Sequence, residues 1–118
     1  MPIPTYQEAM LPLLTFAGDQ QEHSLSDATK AVSDAFRLTE SERNELLQSG
    51  RKPIIADRVG WARTYLGQAG LLQSTRRGFF RISDRGLSLL STNPISIDDR
   101  YLRRYPEFVE FLSRKTRK

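Results

Sequence analysis

The sequence contains no cysteine and a single histidine, His23. The absence of cysteine excludes a disulfide framework, a cysteine-ligated zinc or iron–sulfur site and a thiol nucleophile. Because no second histidine or cysteine is present to share a metal, His23 is predicted to be a solvent-exposed loop residue rather than a ligand. We therefore predict no metal site and no cofactor for this chain.

Long hydrophobic runs are also missing. The longest apolar stretch, residues 9–14, is interrupted by Pro12, and the start lacks the basic segment of a secretory signal. A membrane span requires roughly 20 consecutive apolar residues. We expect a cytoplasmic protein without a membrane segment, and the lack of cysteine is compatible with a reducing compartment.

A catalytic constellation is absent as well. The sequence offers no nucleophile paired with a base and no phosphate-binding loop, so we predict no catalytic residue and no enzyme activity for this chain alone. Its 118 residues match one domain, and its content of 38% hydrophobic and 27% charged residues is typical of a globular protein.

Positive charge exceeds negative charge, and the two are segregated along the chain. The net charge is +4, but residues 1–50 hold 3 Lys/Arg against 8 Asp/Glu, whereas residues 51–86 hold 8 against 2 and residues 100–118 hold 7 against 2. This pattern predicts a basic surface built from the second half, with a polyanion as its partner. The alternative is a set of solvated helix faces without a partner.

The first half carries three helix-capping signals. A hydroxyl residue precedes an acidic residue by three positions at Thr5 with Glu8, Ser24 with Asp27, and Thr39 with Glu42. We predict that the first helix ends near Gly18 with a bend at Pro12, that the second carries an apolar stripe up to Phe36, and that the third ends near Leu47.

A longer helix is predicted over residues 54–69. Its buried face, at 100° per residue, comprises Ile55, Val59, Ala62, Leu66 and Ala69. Its outer face is small and polar and comprises Asp57, Gly60, Trp61, Thr64 and Gln68. Gly60 and Gly67 each lower the stability of the helix by about 1 kcal/mol relative to alanine, and such small residues would let a ligand come close to the helix.

Two short β-prone runs follow, over residues 71–74 and 79–83, and Gly78 can supply the positive φ of the loop between them. Ser83 can cap a further short helix. The order of elements is three helices, a longer helix and a hairpin. This order predicts a mainly α fold with a small β-hairpin over residues 1–93, which is a winged helix-turn-helix.

Residues 94–118 are predicted to be a short helical extension and the start of a linker. Pro106 can begin the second of two short helices there. The extension carries an apolar stripe made of Tyr101, Tyr105, Phe108 and Leu112. The stripe either folds back on the domain or docks against another partner, such as a second copy in a homodimer.

One helix of a winged helix-turn-helix enters the DNA major groove, so the predicted partner is double-stranded DNA. The predicted DNA contacts are Arg51, Lys52, Arg58, Trp61, Arg63, Thr64, Gln68, Arg76 and Arg77. Arg51 and Lys52 would meet a phosphate at the start of the long helix. Arg76 and Arg77, at the tip of the wing, would reach a phosphate or the minor groove.

The long helix would supply the contacts to bases. Thr64 and Gln68 would meet base edges, and Trp61 would make apolar or stacking contacts. Two alternatives remain open. Trp61 and Tyr65, one helical turn apart, can instead pack on the first helix or on the C-terminal extension, and Arg58 can form an ion pair with an acidic residue of the first half.

Several motifs are similar to those of a known family. They are Pro4-Thr5-Tyr6, Ser49-Gly50, Arg58-Val59-Gly60-Trp61-Ala62, Leu66 with Ala69-Gly70-Leu71, Arg77-Gly78 and Ile82-Ser83-Asp84-Arg85-Gly86. Over residues 3–93 the chain resembles the N-terminal domain of Mrr-type restriction endonucleases, which are type IV, modification-dependent enzymes that cut methylated DNA.

The resemblance implies a winged helix that reads methylated duplex DNA and is joined by a linker to a PD-(D/E)xK nuclease domain. The motifs of that nuclease domain have no counterpart after Gly86, so the resemblance implies that cleavage belongs to a C-terminal domain missing here. Asp57 departs from the family, which often has asparagine there. A carboxylate suits a donor such as cytosine N4.

Two other functions fit the same predicted fold. A transcription regulator would dimerise through the apolar stripe of the extension and bind a palindromic site. A protein-interaction module would bind no nucleic acid, so a titration with duplex DNA would reveal no salt-dependent binding.

Overall fold

The structure is a computed structural model that describes residues 3–116. The elements are α1 (Tyr6–Phe16), β1 (His23–Ser24), α2 (Leu25–Ala35), α3 (Glu40–Asn44), α4 (Ile54–Gln68), β2 (Leu72–Arg76), β3 (Phe79–Ile82), α5 (Asp84–Ser91), α6 (Asp99–Leu102) and α7 (Pro106–Thr116). A short 3-10 turn, Ala17–Asp19, follows α1. The fold is mainly helical with a small antiparallel sheet, which confirms the predicted winged-helix class.

The capping signals begin the helices as predicted. At α1, the Glu8 backbone N–H donates to the Thr5 hydroxyl at 3.1 Å, and the Thr5 N–H donates to the Glu8 carboxylate at 2.8 Å. Each bond occupies an amide that the first helical turn leaves without a partner. The same reciprocal pair begins α3 at Thr39. α1 continues through Pro12 to Phe16.

The third helix is shorter than predicted. α3 ends at Asn44, and Glu45 is extended. The following residues run toward α4 instead, where Leu46 forms an isolated antiparallel bridge with Pro53 and the Ile54 N–H donates to the Glu45 carbonyl at 2.8 Å. The turn before α4 is therefore held by backbone bonds rather than by a longer α3.

The wing is a hairpin of β2 and β3 that closes at Arg77 and Gly78. Gly78 has φ +80°, the left-handed conformation that favours glycine. Arg76 pairs with Phe79 across the hairpin. Arg76 is therefore the last residue of β2, and only Arg77 lies at the tip, which corrects the prediction that both do.

A third strand was not predicted. β1 pairs with β3, with His23 opposite Phe80, so β3 is central in the order β1-β3-β2. The His23 side chain is only 15% exposed, lies with its ring 4.2 Å from that of Phe16, and contacts the Asp19 carboxylate at 2.8 Å. The prediction of a solvent-exposed loop histidine is therefore wrong, because this segment pairs with the edge of β3 that β2 leaves free.

The core lies where α1, α2 and α4 pack together. The predicted inner face of α4 is buried throughout, at Ile55, Val59, Ala62, Leu66 and Ala69. Tyr65 is buried too, at 5% exposure. Burying an aliphatic or aromatic side chain of this size stabilises the fold by about 1.5–3 kcal/mol, so this face determines how α4 is oriented.

The extension folds back on the same core. Phe108 is fully buried, and its ring lies 5.6 Å from that of Tyr65 on α4. Tyr6 of α1 donates to the Asp99 carboxylate, and burial, followed by this bond, raises the pKa of the Tyr6 hydroxyl above its usual value. The Arg85 guanidinium on α5 pairs with Glu107 at 3.0 Å.

Of the two alternatives for the apolar stripe, the structure shows intramolecular packing. Phe108 is inaccessible and cannot contribute to a homodimer contact, and Tyr101, Tyr105 and Leu112 are partly buried against the core. α7 continues to Thr116, so the chain is helical up to that residue rather than an open linker. The two last residues of the predicted linker, 117–118, lie outside the described residues.

A glycine substitution tests the packing of α5. A Cβ at Gly86 would meet the Leu71 carbonyl and lie 2.6 Å from Ile82 Cγ1, so Gly86→Ala should destabilise the protein by about 1–3 kcal/mol. At Gly67 on α4 the nearest atom would be 3.9 Å away, and Gly67→Ala should stabilise by up to about 1 kcal/mol. Urea denaturation measures both, and equal midpoints for the two variants would contradict the packing.

Candidate nucleic-acid interface

An open groove of about 770 Å³ runs between the outer face of α4 and the wing. We call it the wing-side groove, and it is lined by Leu25, Lys52, Asp57, Gly60, Trp61, Arg63, Thr64, Ser74, Thr75, Arg76, Arg77 and Gly78. The groove exists because α4 buries one face in the core while the hairpin rises beside the opposite face. Six of the nine predicted DNA contacts meet there.

The groove is electropositive. Four of its lining side chains are cationic, namely Lys52, Arg63, Arg76 and Arg77, whereas only Asp57 is acidic. Arg63 on α4 reaches the wing, where its Nη2 donates to Ser74 Oγ at 2.6 Å and its guanidinium lies 5.8 Å from the centre of the Phe80 ring. A groove lined by one sign of charge concentrates ligands of the other sign.

Arg76 is held by an acidic neighbour. Its guanidinium stacks 3.8 Å from the centre of the Phe79 ring, and its Nε donates to the Glu22 carboxylate at 3.4 Å. The Thr75 hydroxyl also donates to Glu22, and this bond, followed by Arg76, holds the pKa of Glu22 below its usual range. Glu22 therefore stays ionised at neutral pH and offsets part of the Arg76 charge.

The middle of the groove is formed by an open stretch of α4. Trp61 is 47% exposed, and its ring lies edge-on to that of Tyr65 with the ring centres 6.2 Å apart. Packing on the first helix and on the extension is observed for Tyr65, whose ring lies 5.1 Å from that of Tyr6 and 5.6 Å from that of Phe108, whereas Trp61 stays at the surface. A Cβ at Gly60 would meet nothing within 4 Å. Within the described part of the chain, no contact therefore requires a glycine at position 60, and this residue lines the groove.

Three predicted residues do not line this groove. Arg51 is exposed in the turn before α4. Gln68 lies in a neighbouring cavity of about 190 Å³ that it shares with Arg63 and Thr64. Arg58 lies on the other flank of α4, where its Nη1 donates to the Pro4 carbonyl at 3.1 Å. The alternative of an ion pair for Arg58 is therefore wrong, because its observed partner is a neutral backbone oxygen.

A second groove, of about 380 Å³, runs along that other flank. We call it the α7-side groove, and it is lined by Tyr6, Asp57, Arg58, Trp61, Tyr65 and Lys115. Lys115 was not predicted. A signal for it exists in the sequence, since Lys115 follows Phe108 by seven residues and therefore lies on the same helical face. Ser74 and Thr75 of the wing-side groove were missed too.

Among residues 3–116, no cluster of three or more His, Asp or Glu side chains is arranged to hold a metal ion. Likewise, none of the helices formed by these residues has both the length and the apolar character that crossing a bilayer demands.

Comparison with known proteins identifies the family. The model of the Mrr N-terminal domain matches residues 6–92. The chain is also 32% identical over 95 residues to the type IV methyl-directed restriction enzyme EcoKMrr of Escherichia coli (strain K12). That match covers 80% of this chain but only 31% of the relative, so the chain spans about a third of that protein's length. No solved structure gave a significant match. The chain therefore belongs to the Mrr N-terminal domain family.

Proposed function

We propose that this chain is the DNA-recognition domain of an Mrr-like restriction endonuclease and that it binds duplex DNA through the wing-side groove. The observation that carries this proposal is the convergence of four cationic side chains from α4, its preceding turn and the wing on one open groove beside an exposed tryptophan. Cations at that position suit the phosphates of a duplex, and α4 has the dimensions that the major groove admits.

The proposed contacts divide by type. Lys52 and Arg77 contact phosphates and position the domain without reading sequence. Thr64 and Asp57 lie on the outer face of α4 and meet base edges, where the Asp57 carboxylate accepts from a donor such as cytosine N4. Gln68 reads bases only if the duplex extends from the groove into its neighbouring cavity.

Methylated DNA is the proposed preferred ligand. The curated relative is described as methyl-directed, and a methyl group on a base presents apolar surface to a protein. Trp61 supplies an exposed apolar ring, and the missing side chain of Gly60 leaves space beside it. We assign recognition of the methyl group to this pair.

Cleavage is proposed to belong to a separate PD-(D/E)xK nuclease domain of the parent protein. The relative is a restriction enzyme, and this chain corresponds to about a third of it. Purified alone and supplied with magnesium, the chain should bind a duplex and leave it intact, as followed by gel electrophoresis.

Arg77→Gln tests the phosphate contact of the wing. Within residues 3–116 Arg77 forms no ion pair, so the variant removes a charge without freeing an acidic partner. We expect weaker binding to every duplex sequence and a log–log salt slope that is shallower by about 0.9. Fluorescence anisotropy over a range of salt concentrations measures both.

Arg103→Gln is the matched control, because Arg103 is exposed in the extension and lines neither groove. It makes the same change in net charge and should leave the slope unchanged. Equal slopes for the wild type and Arg77→Gln would contradict the wing contact. If the wild type itself showed no salt dependence, the protein-interaction function would replace DNA binding.

Gly60→Ala tests the close approach of DNA to α4. The added methyl group should stabilise the helix by up to about 1 kcal/mol and at the same time weaken DNA binding, since it fills the space that the ligand needs. Gly67→Ala, on the same helix outside the wing-side groove but lining the cavity of Gln68, measures the gain in helix stability, so a loss of affinity confined to Gly60→Ala locates the close approach in the wing-side groove. Unchanged affinity in Gly60→Ala would show that DNA does not approach this position.

Methyl recognition is tested with matched duplexes that differ only in methylation of adenine or of cytosine. The wild type should bind one methylated form more tightly, and Trp61→Ala should abolish that difference while retaining most of the unmethylated affinity. Equal affinity of the wild type for all forms would remove methyl recognition and leave duplex binding in place.

A further inference from the structure

The outer face of α4 is a ridge between two grooves. Asp57 and Trp61, one helical turn apart, line both the wing-side groove and the α7-side groove. The cations of the wing therefore lie on one flank of the ridge, and Arg58 and Lys115 lie on the other. A carboxylate on the ridge repels phosphate, so phosphates are favoured only on the two flanks.

The α7-side groove holds two cations, Arg58 and Lys115, against one carboxylate, Asp57. Neither Arg58 nor Lys115 forms an ion pair with another described residue. Their observed partners are neutral, since Arg58 donates to the Pro4 carbonyl and Lys115 donates to the Tyr65 hydroxyl. An arginine with five donors and a lysine with three retain N–H groups for an anion after making these bonds.

Lys115 is held at this position by the packing of α7 on α4. The Phe108 and Phe111 rings lie 5.6 and 5.4 Å from that of Tyr65 and hold the two helices together. Lys115 extends beyond them, with Nζ 5.0 Å from the centre of the Tyr65 ring and 5.5 Å from that of Trp61. Since the phenylalanines account for the docking of α7, the ammonium group is not needed to hold it.

We propose that Arg58 and Lys115 form a second phosphate-binding site, which contacts the DNA backbone on the side of α4 opposite the wing. The proposal rests on the proposed DNA binding of the wing-side groove and extends the binding surface to α7, beyond the family match at residues 6–92. A duplex that straddles the ridge meets cations on both of its flanks, which fixes its position across Asp57 and Trp61.

Lys115→Met tests this site, because methionine preserves most of the aliphatic stem and removes the charge. We expect duplex affinity to fall by about three- to tenfold at low salt and the log–log salt slope to be shallower by about 0.9. Lys115→Arg should restore both values. Arg114→Met is the matched control on the same helix, since Arg114 is exposed and lines neither groove, and it should leave the slope unchanged.

Comparison with the wing variant separates this site from the proposed function. In the double variant Arg77→Gln with Lys115→Met, the two slope changes should add, because the two sites contact different phosphates. If Arg77→Gln weakens binding while Lys115→Met keeps the wild-type slope, or if Lys115→Arg fails to restore it, the second site is overturned and the wing contact stands. A wild-type chain that binds no duplex overturns the proposed function itself.

Urea denaturation of each variant shows whether a lost affinity reflects lost folding. Lys115→Met should unfold close to the wild type, since Phe108 remains buried. An affinity loss that disappears when corrected for the folded fraction would assign Lys115 a purely structural role and overturn the site.

Discussion

Burial of the apolar face of α4 against α1 and α2 is the interaction on which the candidate site depends. Once Val59, Ala62 and Leu66 are removed from water, the helix cannot rotate about its axis without exposing them. Asp57, Gly60 and Trp61 must then face outward. The outer face of α4 is therefore determined by the core, and the proposed DNA contacts of this helix occupy positions that the core leaves free.

The wing and α7 place cationic side chains beside that outward face. The hairpin brings Arg76 and Arg77 beside one flank of α4, and α7 brings Lys115 beside the other, although these residues are far apart in sequence. Glu22, which immediately precedes β1, forms an ion pair with Arg76 and offsets part of its positive charge. The packing of the wing and of α7 beside α4 therefore sets the charge pattern of this surface, in which the Asp57 carboxylate lies between two cationic flanks.

Local signals in the sequence predicted the helices well. The hydroxyl–acid pairs at Thr5 and Thr39 begin helices because their bonds involve residues only three positions apart. Gly78 likewise closes the hairpin because its positive φ is a local requirement. Most of the groove was predicted for the same reason, since Trp61 and Thr64 follow from the periodicity of one helix.

Contacts between distant segments could not be predicted in this way. β1 is only two residues long and has no alternating pattern of its own, so its pairing depends on the free edge of β3. The helical period places Arg58 and Arg63 on opposite flanks of α4, but the bond from Arg58 to the Pro4 carbonyl and the proximity of Lys115 to Trp61 depend on how distant segments pack against α4.

The sequence by itself determined where the capped helices begin, the hairpin, the buried face of α4 and the excess of positive charge in the second half. Tertiary structure alone decided which cations share a groove and that the aromatic stripe of the extension is covered by its own domain. The physical reason is range, because capping and periodicity act within a few residues, whereas the grooves form between segments that meet only when the core has closed.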